Sequence, residues 1–168
     1  MDREGSITFV AKKDNEVIGT ISMVFGEDSQ GKTETLPMEE VYEKEIKEYR
    51  DKGHKIAEIT QLALKRKDVT TLRDFINQRS ILIELYALVL KKSFEKKSRK
   101  ELDDLVIAIN PKQEDFYKDT FKFEHLGGVK TYGSVNNKKA VAKIFKLEGK
   151  NEAELLNILY GLVKTKPH

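Results

Sequence analysis

The sequence predicts a mixed α/β fold, one mixed β-sheet with helices on both faces. Three observations carry this. Strand-like and helical runs follow one another in the order β-β-α-β-α-β-α-β-β-α, combining hairpins with strand–helix–strand units. The run Lys55–Lys65 is mostly apolar on both faces, as in a central strand. The run Ile81–Leu90, interrupted by Glu84, is apolar nearly all round, as in a helix packed deeply on a sheet. No repeat or low-complexity linker breaks the chain, so residues 1–168 read as a single domain.

The first elements are a hairpin. Ile7–Ala11 reads as a strand, Asp14-Asn15 as its turn and Glu16–Phe25 as the returning strand. Residues Gly26–Lys32 form a polar loop. Met38, Val41, Tyr42, Ile46 and Tyr49 then recur at helical spacing, with Pro37 in the first turn and Gly53 at the stop. In Lys55–Lys65, Ile56, Glu58, Thr60, Leu62 and Leu64 are expected on one face, and Ala57, Ile59, Gln61 and Ala63 on the other.

Thr71 to Asp74 resembles a capping box and opens a long helix to about Phe94. Leu105–Ile109 is a short apolar strand. Asn110 caps the next helix, with Pro111 at its first position. Phe123–Leu126 is a further strand, closed by Gly127-Gly128. Lys139–Leu147 follows the turn at Asn136-Asn137. Asn151 caps a last amphipathic helix within residues 150–168.

Composition narrows the function classes. The chain has 39% hydrophobic and 35% charged residues and no cysteine. The absence of cysteine excludes disulfides, thiolate metal sites and a cysteine nucleophile, and fits a reducing, cytoplasmic setting. No run is long enough to span a bilayer, and no basic n-region followed by an apolar h-region opens the chain. His54, His125 and His168 form no metal-ligand spacing, so no metal is expected. There is no P-loop, GxGxxG or GxSxG.

Net charge is +3, but the cations cluster. Lys91, Lys92, Lys96, Lys97, Arg99 and Lys100 share one ten-residue stretch with a single anion. Such a stretch is either a solvated helix end or a docking patch for an acidic partner. Apart from Phe94 it lacks the interleaved aromatics of a nucleic-acid surface.

Glu58 is the candidate of most interest. A carboxylate on a strand that otherwise reads as buried is either paired, placed at a bulge, or raised in pKa and suited to general-base work. Thr60, two residues on, is either a hydrogen-bond donor to it or a good strand former. Tyr117 follows the strand–Asn-Pro–helix junction, where its phenol either enters a cleft or is a core tyrosine. Arg79 beside the apolar stripe either snorkels or meets an anion.

Four stretches carry a family resemblance. Glu16-Val17-Ile18-Gly19-Thr20-Ile21 looks like an "xVVGTL" strand. Leu36-Pro37-Met38-Glu39-Glu40-Val41-Tyr42 with Arg50-Asp51-Lys52-Gly53 looks like a "GLPLDxLF…LRxxG" helix. Ala57-Glu58-Ile59-Thr60-Gln61-Leu62-Ala63-Leu64 resembles "AEVSxLAV". Val106-Ile107-Ala108-Ile109-Asn110-Pro111 with Phe116-Tyr117 and Phe123 resembles "LIxVNPRHxxFYxxxxGF". In order and spacing the set resembles the GNAT acyltransferase fold, and within it the long-chain N-acyl amino acid synthases and acyl-homoserine-lactone autoinducer synthases. The family's N-terminal strand and helices have no counterpart in these stretches, and are expected to be missing.

The resemblance implies transfer of a fatty acyl group from acyl carrier protein, or from acyl-CoA, to the amine of an amino acid or similar small molecule. It implies Glu58 as base; Thr60 and Tyr117, singled out above from the residues alone, join it as catalytic candidates. Gln61, Leu62, Ala63, Arg79 and Asn110 become substrate-binding candidates. Gln61 stands where the autoinducer motif has arginine, which argues against homoserine-lactone synthesis. Lys122 stands where the family has glycine. The glycine-rich pyrophosphate loop is absent from Leu64–Thr71, which favours the phosphopantetheine arm of acyl carrier protein over coenzyme A. Lys65, Arg66 and Lys67 then join the Lys91–Lys100 patch as docking cations. Alternatives are an acetyl-CoA-dependent N-acetyltransferase with Tyr117 as acid, and a non-catalytic acyl- or partner-binding domain.

Overall fold

The computed structural model describes residues 5–28, 30–65, 72–94, 102–132, 137–147 and 149–164, with the side chains of 72–77 and 162–164 left out. Among these residues the order of elements is the expected one. The strands are β1 (Ser6–Lys13), β2 (Glu16–Phe25), β3 (Ile56–Leu64), β4 (Asp104–Ile109), β5 (Glu124–Tyr132) and β6 (Lys138–Lys146). The helices are α1 (Glu39–Asp51), α2 (Leu72–Phe94), α3 (Glu114–Phe121, after a 3-10 turn at Pro111–Gln113) and α4 (Glu152–Lys164). Thr71, the expected cap of α2, lies outside the described residues. No helix among the described residues is long and apolar enough to cross a membrane.

The strands form one sheet in the order β1-β2-β3-β4-β6-β5. Only β3 and β4 pair in parallel; the other pairs are antiparallel. The β1–β2 hairpin turns at Asp14 and Asn15, both left-handed at φ 50° and 62°. Short polar side chains tolerate that conformation, which matches the twist of the strands.

Two apolar layers cover the sheet. Ile21, Met23, Ile59, Leu105 and Phe145 pack under α2, α3 and α4. Ile56, Val106 and Ile144 pack under α1 with Met38, Tyr42 and Ile46. A β-carbon on Gly19 would stand 3.0 Å from Leu64 and 3.1 Å from Ile81, so the missing side chain lets α2 close onto β2.

Two expectations are corrected. Gly127-Gly128 does not close β5, which runs on to Tyr132. A β-carbon on Gly127 would meet the Tyr42 ring at 3.0 Å, so this glycine admits α1 onto the sheet. The Tyr42 hydroxyl sits between the Gly128 and Ala140 carbonyl oxygens, 2.9 and 2.7 Å away, and pins α1 to β5 and β6 there.

The second correction lies in β3. Thr20 pairs with Ala63 but Ser22 with Thr60, so β3 carries one extra residue. Gln61 absorbs it as a bulge at φ 52°. Beyond the bulge the faces exchange. Leu62 and Leu64 pack with Ile59 rather than on the Glu58 side, contrary to the simple alternation.

Candidate active site

β3 and β4 pair from Ile56↔Asp104 to Ile59↔Ile107, and no further. The Gln61 bulge carries β3 away, and Asn110-Pro111 turns the chain leaving β4 into α3. A cleft of about 1130 Å³ opens between the diverging ends, lined among others by Glu58, Thr60, Gln61, Asn110, Tyr117 and Tyr132. The β3 backbone from Thr60 onward faces it without a β4 ladder partner.

Glu58 is 4% exposed. Its Oε2 accepts the Met38 N–H at 2.8 Å. Met38 caps α1, so this N–H is one of those the helix leaves unpaired, at the end that favours negative charge. A brace fixes that corner. Glu39 Oε1 accepts the Leu36 N–H at 2.7 Å and the Arg50 guanidinium at 2.6 Å. Arg50 also donates to the Gly26 and Glu34 carbonyl oxygens. The family-like Leu36–Tyr42 and Arg50–Gly53 stretches thus supply the Met38 N–H that Glu58 accepts and the Arg50–Glu39 brace behind it.

Thr60 lines the cleft on the Glu58 face, opposite Ser22, and no hydrogen bond joins it to Glu58 among the described residues. Gln61 lines the cleft, and its Oε1 accepts from Ser22 Oγ at 3.1 Å; Ser22 Oγ in turn lies 2.8 Å from Thr8 Oγ1. Leu62 also lines the cleft, from the α2 side, whereas Ala63 does not. Asn110 lines it and spends its Oδ1 on the Lys112 N–H at 3.0 Å, the expected cap. Arg79, half-buried on α2, is not among the lining residues.

Tyr117 reaches the cleft from α3, on the opposite face of the sheet from Glu58. Burial pushes its phenol pKa up, and the neighbouring Tyr86 hydroxyl partly offsets this. At neutral pH the group is a proton donor.

Of the expected docking cations, Lys65 is exposed and paired with Glu16. Lys91 and Lys92 close α2, which leads toward the start of β4, the end of the strand away from the cleft. Arg66, Lys67, Lys96, Lys97, Arg99 and Lys100 lie outside the described residues. Among the described residues no cluster of His, Asp or Glu has the makings of a metal site.

Two features escaped the sequence reading. Tyr132 on β5 lines the cleft with its hydroxyl buried and unpartnered among the described residues. Lys112, Lys138 and Lys139 supply cations at the cleft itself. Strand alternation extended past Gly128 would have placed Tyr132 on the inner face.

The mixed sheet, covered by helices on both faces, is that of the GNAT acyltransferase fold. The model of the family described as N-acyl amino acid synthase FeeM matches residues 1–143, and the chain belongs to that family. The structure is similar to that of FeeM, an N-acyl amino acid synthase from uncultured soil microbes, at TM-score 0.68 and 29% identity. That match covers 86% of this chain and 69% of FeeM. The CoA-dependent acyl-homoserine lactone synthase BjaI, solved with SAM and isopentyl-CoA, matches at TM-score 0.56 and 12% identity, over 97% of this chain and 68% of its own. An N-acetyltransferase from Staphylococcus aureus Mu50 matches at TM-score 0.51 and 12% identity, over 84% and 68%. The last two show the fold alone. A comparison with curated protein sequences found no match.

Proposed function

We propose that the protein moves a fatty acyl group from the thioester of an acyl-phosphopantetheine arm to the amine of an amino acid or similar small molecule. The observation that carries this is the Glu58 carboxylate, buried at the point where β3 and β4 part and held there by the Met38 N–H. Glu58 takes a proton from the acceptor ammonium, directly or through water, because only the neutral amine is nucleophilic. The amine attacks the thioester carbonyl; a C–N bond forms and the C–S bond breaks. Backbone N–H groups of the unladdered β3 edge hold the carbonyl oxygen as charge develops. The Tyr117 phenol protonates the departing thiolate, and the second proton, which the acylated nitrogen sheds as the amide forms, restores the phenol through water. Thr60, Gln61, Leu62 and Asn110 shape the cleft around the two substrates.

Acyl carrier protein is the donor this reading favours over acyl-CoA. No glycine occurs between Leu64 and Thr71, where backbone amides would otherwise wrap a pyrophosphate. Lys65 and the cations that follow it in sequence offer an acidic carrier protein its contacts. The test is the intact mass of palmitoyl-loaded acyl carrier protein, mixed with the protein and pooled amino acids, beside parallel reactions with palmitoyl-CoA and acetyl-CoA. Loss of the acyl group to an N-acyl amino acid, abolished by Glu58→Gln, is the expected result. Turnover from palmitoyl-CoA alone overturns the choice of donor. Turnover from acetyl-CoA alone, or no turnover with any donor, overturns the reading.

A further inference from the structure

The Tyr132 hydroxyl is buried and makes no hydrogen bond among the described residues, and the residue as a whole is 8% exposed. A buried hydroxyl without a partner has given up its water contacts for nothing in return, so it is a group to be explained. Its neighbours say what it faces. Tyr132 lies directly across from Lys138 in the β5–β6 register, so the two side chains share a face. That face is the Glu58 face: Tyr132 packs with Val106, Ala142 and Ile144 under α1. Both residues line the cleft.

Two other lysines of this hairpin are set aside by position. Lys130 on the same face is spent on Glu45 at 2.6 Å and on the Val41 carbonyl oxygen. Lys139 pairs with Thr131 and points to the other face. Lys138 has no ion-pair partner among the described residues. The phenol stays protonated at neutral pH, because burial first and the Glu58 charge second push its pKa up. It is therefore a hydrogen-bond donor facing the cleft, beside a cation and on the same face as a carboxylate base.

We propose that the Tyr132 hydroxyl and the Lys138 ammonium are the groups that bind the carboxylate of the amino-acid acceptor. This rests on the acyltransferase reading and adds to it the residues that hold the acceptor. An α-amino acid presents an ammonium and a carboxylate one carbon apart. Glu58 receives the first and repels the second; Lys138 and Tyr132 attract the second. A plain amine leaves the Tyr132 hydroxyl unsatisfied.

The test is calorimetric binding, at neutral pH and low salt, of N-decanoylglycine and of N-methyldecanamide, which is the same molecule without its carboxyl group. Wild-type protein is expected to bind the acid about tenfold more tightly than the amide. Tyr132→Phe and Lys138→Met are each expected to lose most of that preference while amide binding stays unchanged, which also reports that the variants are folded. The preference should shrink as salt rises. Equal binding of the two probes by wild type, or a preference that survives both substitutions, overturns the carboxylate site and leaves the acyltransferase reading standing. Failure of wild type to bind either probe removes that reading and this proposal together.

Discussion

The Met38 N–H donates to Glu58 Oε2 at 2.8 Å, so the first turn of α1 holds the one carboxylate that β3 carries into the cleft. This bond separates shape from chemistry. In Glu58→Gln the amide oxygen still accepts the Met38 N–H, and the thermal midpoint should stay near that of wild type. Acyl transfer should fall by about 10²–10⁴-fold, the usual size of a lost general base. Glu58→Ala should lose the activity and also about 1–3 kcal/mol, because the buried N–H is left without a partner. Thermal melts and single-turnover acyl transfer on both variants check this; a Glu58→Gln protein with wild-type turnover would remove Glu58 from the chemistry.

Gln61 makes the second prediction. Its φ of 52° is strained for a side chain, but its Oε1 accepts from Ser22 Oγ at 3.1 Å. Gln61→Gly relieves the left-handed strain, worth about 1–2 kcal/mol, and loses one hydrogen bond, worth about 1 kcal/mol. The two nearly cancel, so stability and transfer should both stay close to wild type. Gln61→Val keeps the strain, adds a branched β-carbon and loses the bond. It should destabilise by more than about 2 kcal/mol and impair transfer, since the bulge aims the open β3 edge. Urea unfolding with turnover on the pair decides it. Equal behaviour of the glycine and valine variants would mean that the bulge does not depend on residue 61.

The same bulge shows where the sequence stops being legible. Element order, the Asp14-Asn15 turn, the Asn110 cap and the buried place of Glu58 follow from periodicity, capping chemistry and the cost of burying charge. All of these are local in sequence. The face exchange at Gln61 is not, because glutamine does not advertise a left-handed conformation and the registers of β2 and β4 impose it. Tyr132 and Lys138 were hidden for a related reason. Gly127-Gly128 reads as a stop, and only the approach of Tyr42, a residue far away in the chain, explains why glycine stands inside a strand there.

Lys143 and Glu114 supply a prediction about pH. The lysine side chain is 2% exposed and paired with Glu114, which opens α3; His125 Nδ1 lies 3.7 Å from the same carboxylate. The hydrogen bond from Lys143 is the main cause that lowers the Glu114 pKa. A depressed carboxylate contributes stability above its unfolded pKa and loses it as pH falls through the folded one. Glu114→Gln should therefore cost about 1–2 kcal/mol at neutral pH: the lysine stays buried with a weaker partner, but the carboxylate is about a third exposed and solvent screens the pair. The gap to wild type should close as pH drops below the ordinary glutamate range. Lys143→Met removes the buried charge as well and should cost less than Glu114→Gln. Urea unfolding across pH measures all three proteins, and a gap that does not change with pH would show that the carboxylate charge plays no part.

Lys122 completes the set. The family-like pattern has glycine at this place, and Lys122 adopts the conformation glycine would: φ 60°, closing α3 with its N–H on the Lys118 carbonyl oxygen. A lysine there bears the left-handed penalty of about 1 kcal/mol, which an exposed contact from its Nζ to the Asp119 carbonyl oxygen offsets little. Lys122→Gly should raise the thermal midpoint by about 2–4 °C, the shift expected of about 1 kcal/mol in a chain of this size. Lys122→Val should lower it, since a branched side chain tolerates positive φ worse than lysine does. Activity should follow neither change, because Tyr117 is fixed by its own packing against Tyr86 and Phe121. Differential scanning calorimetry reads the ordering directly. Glycine ranking below lysine would mean that the turn gains more from the Lys122 side chain than it loses to backbone strain.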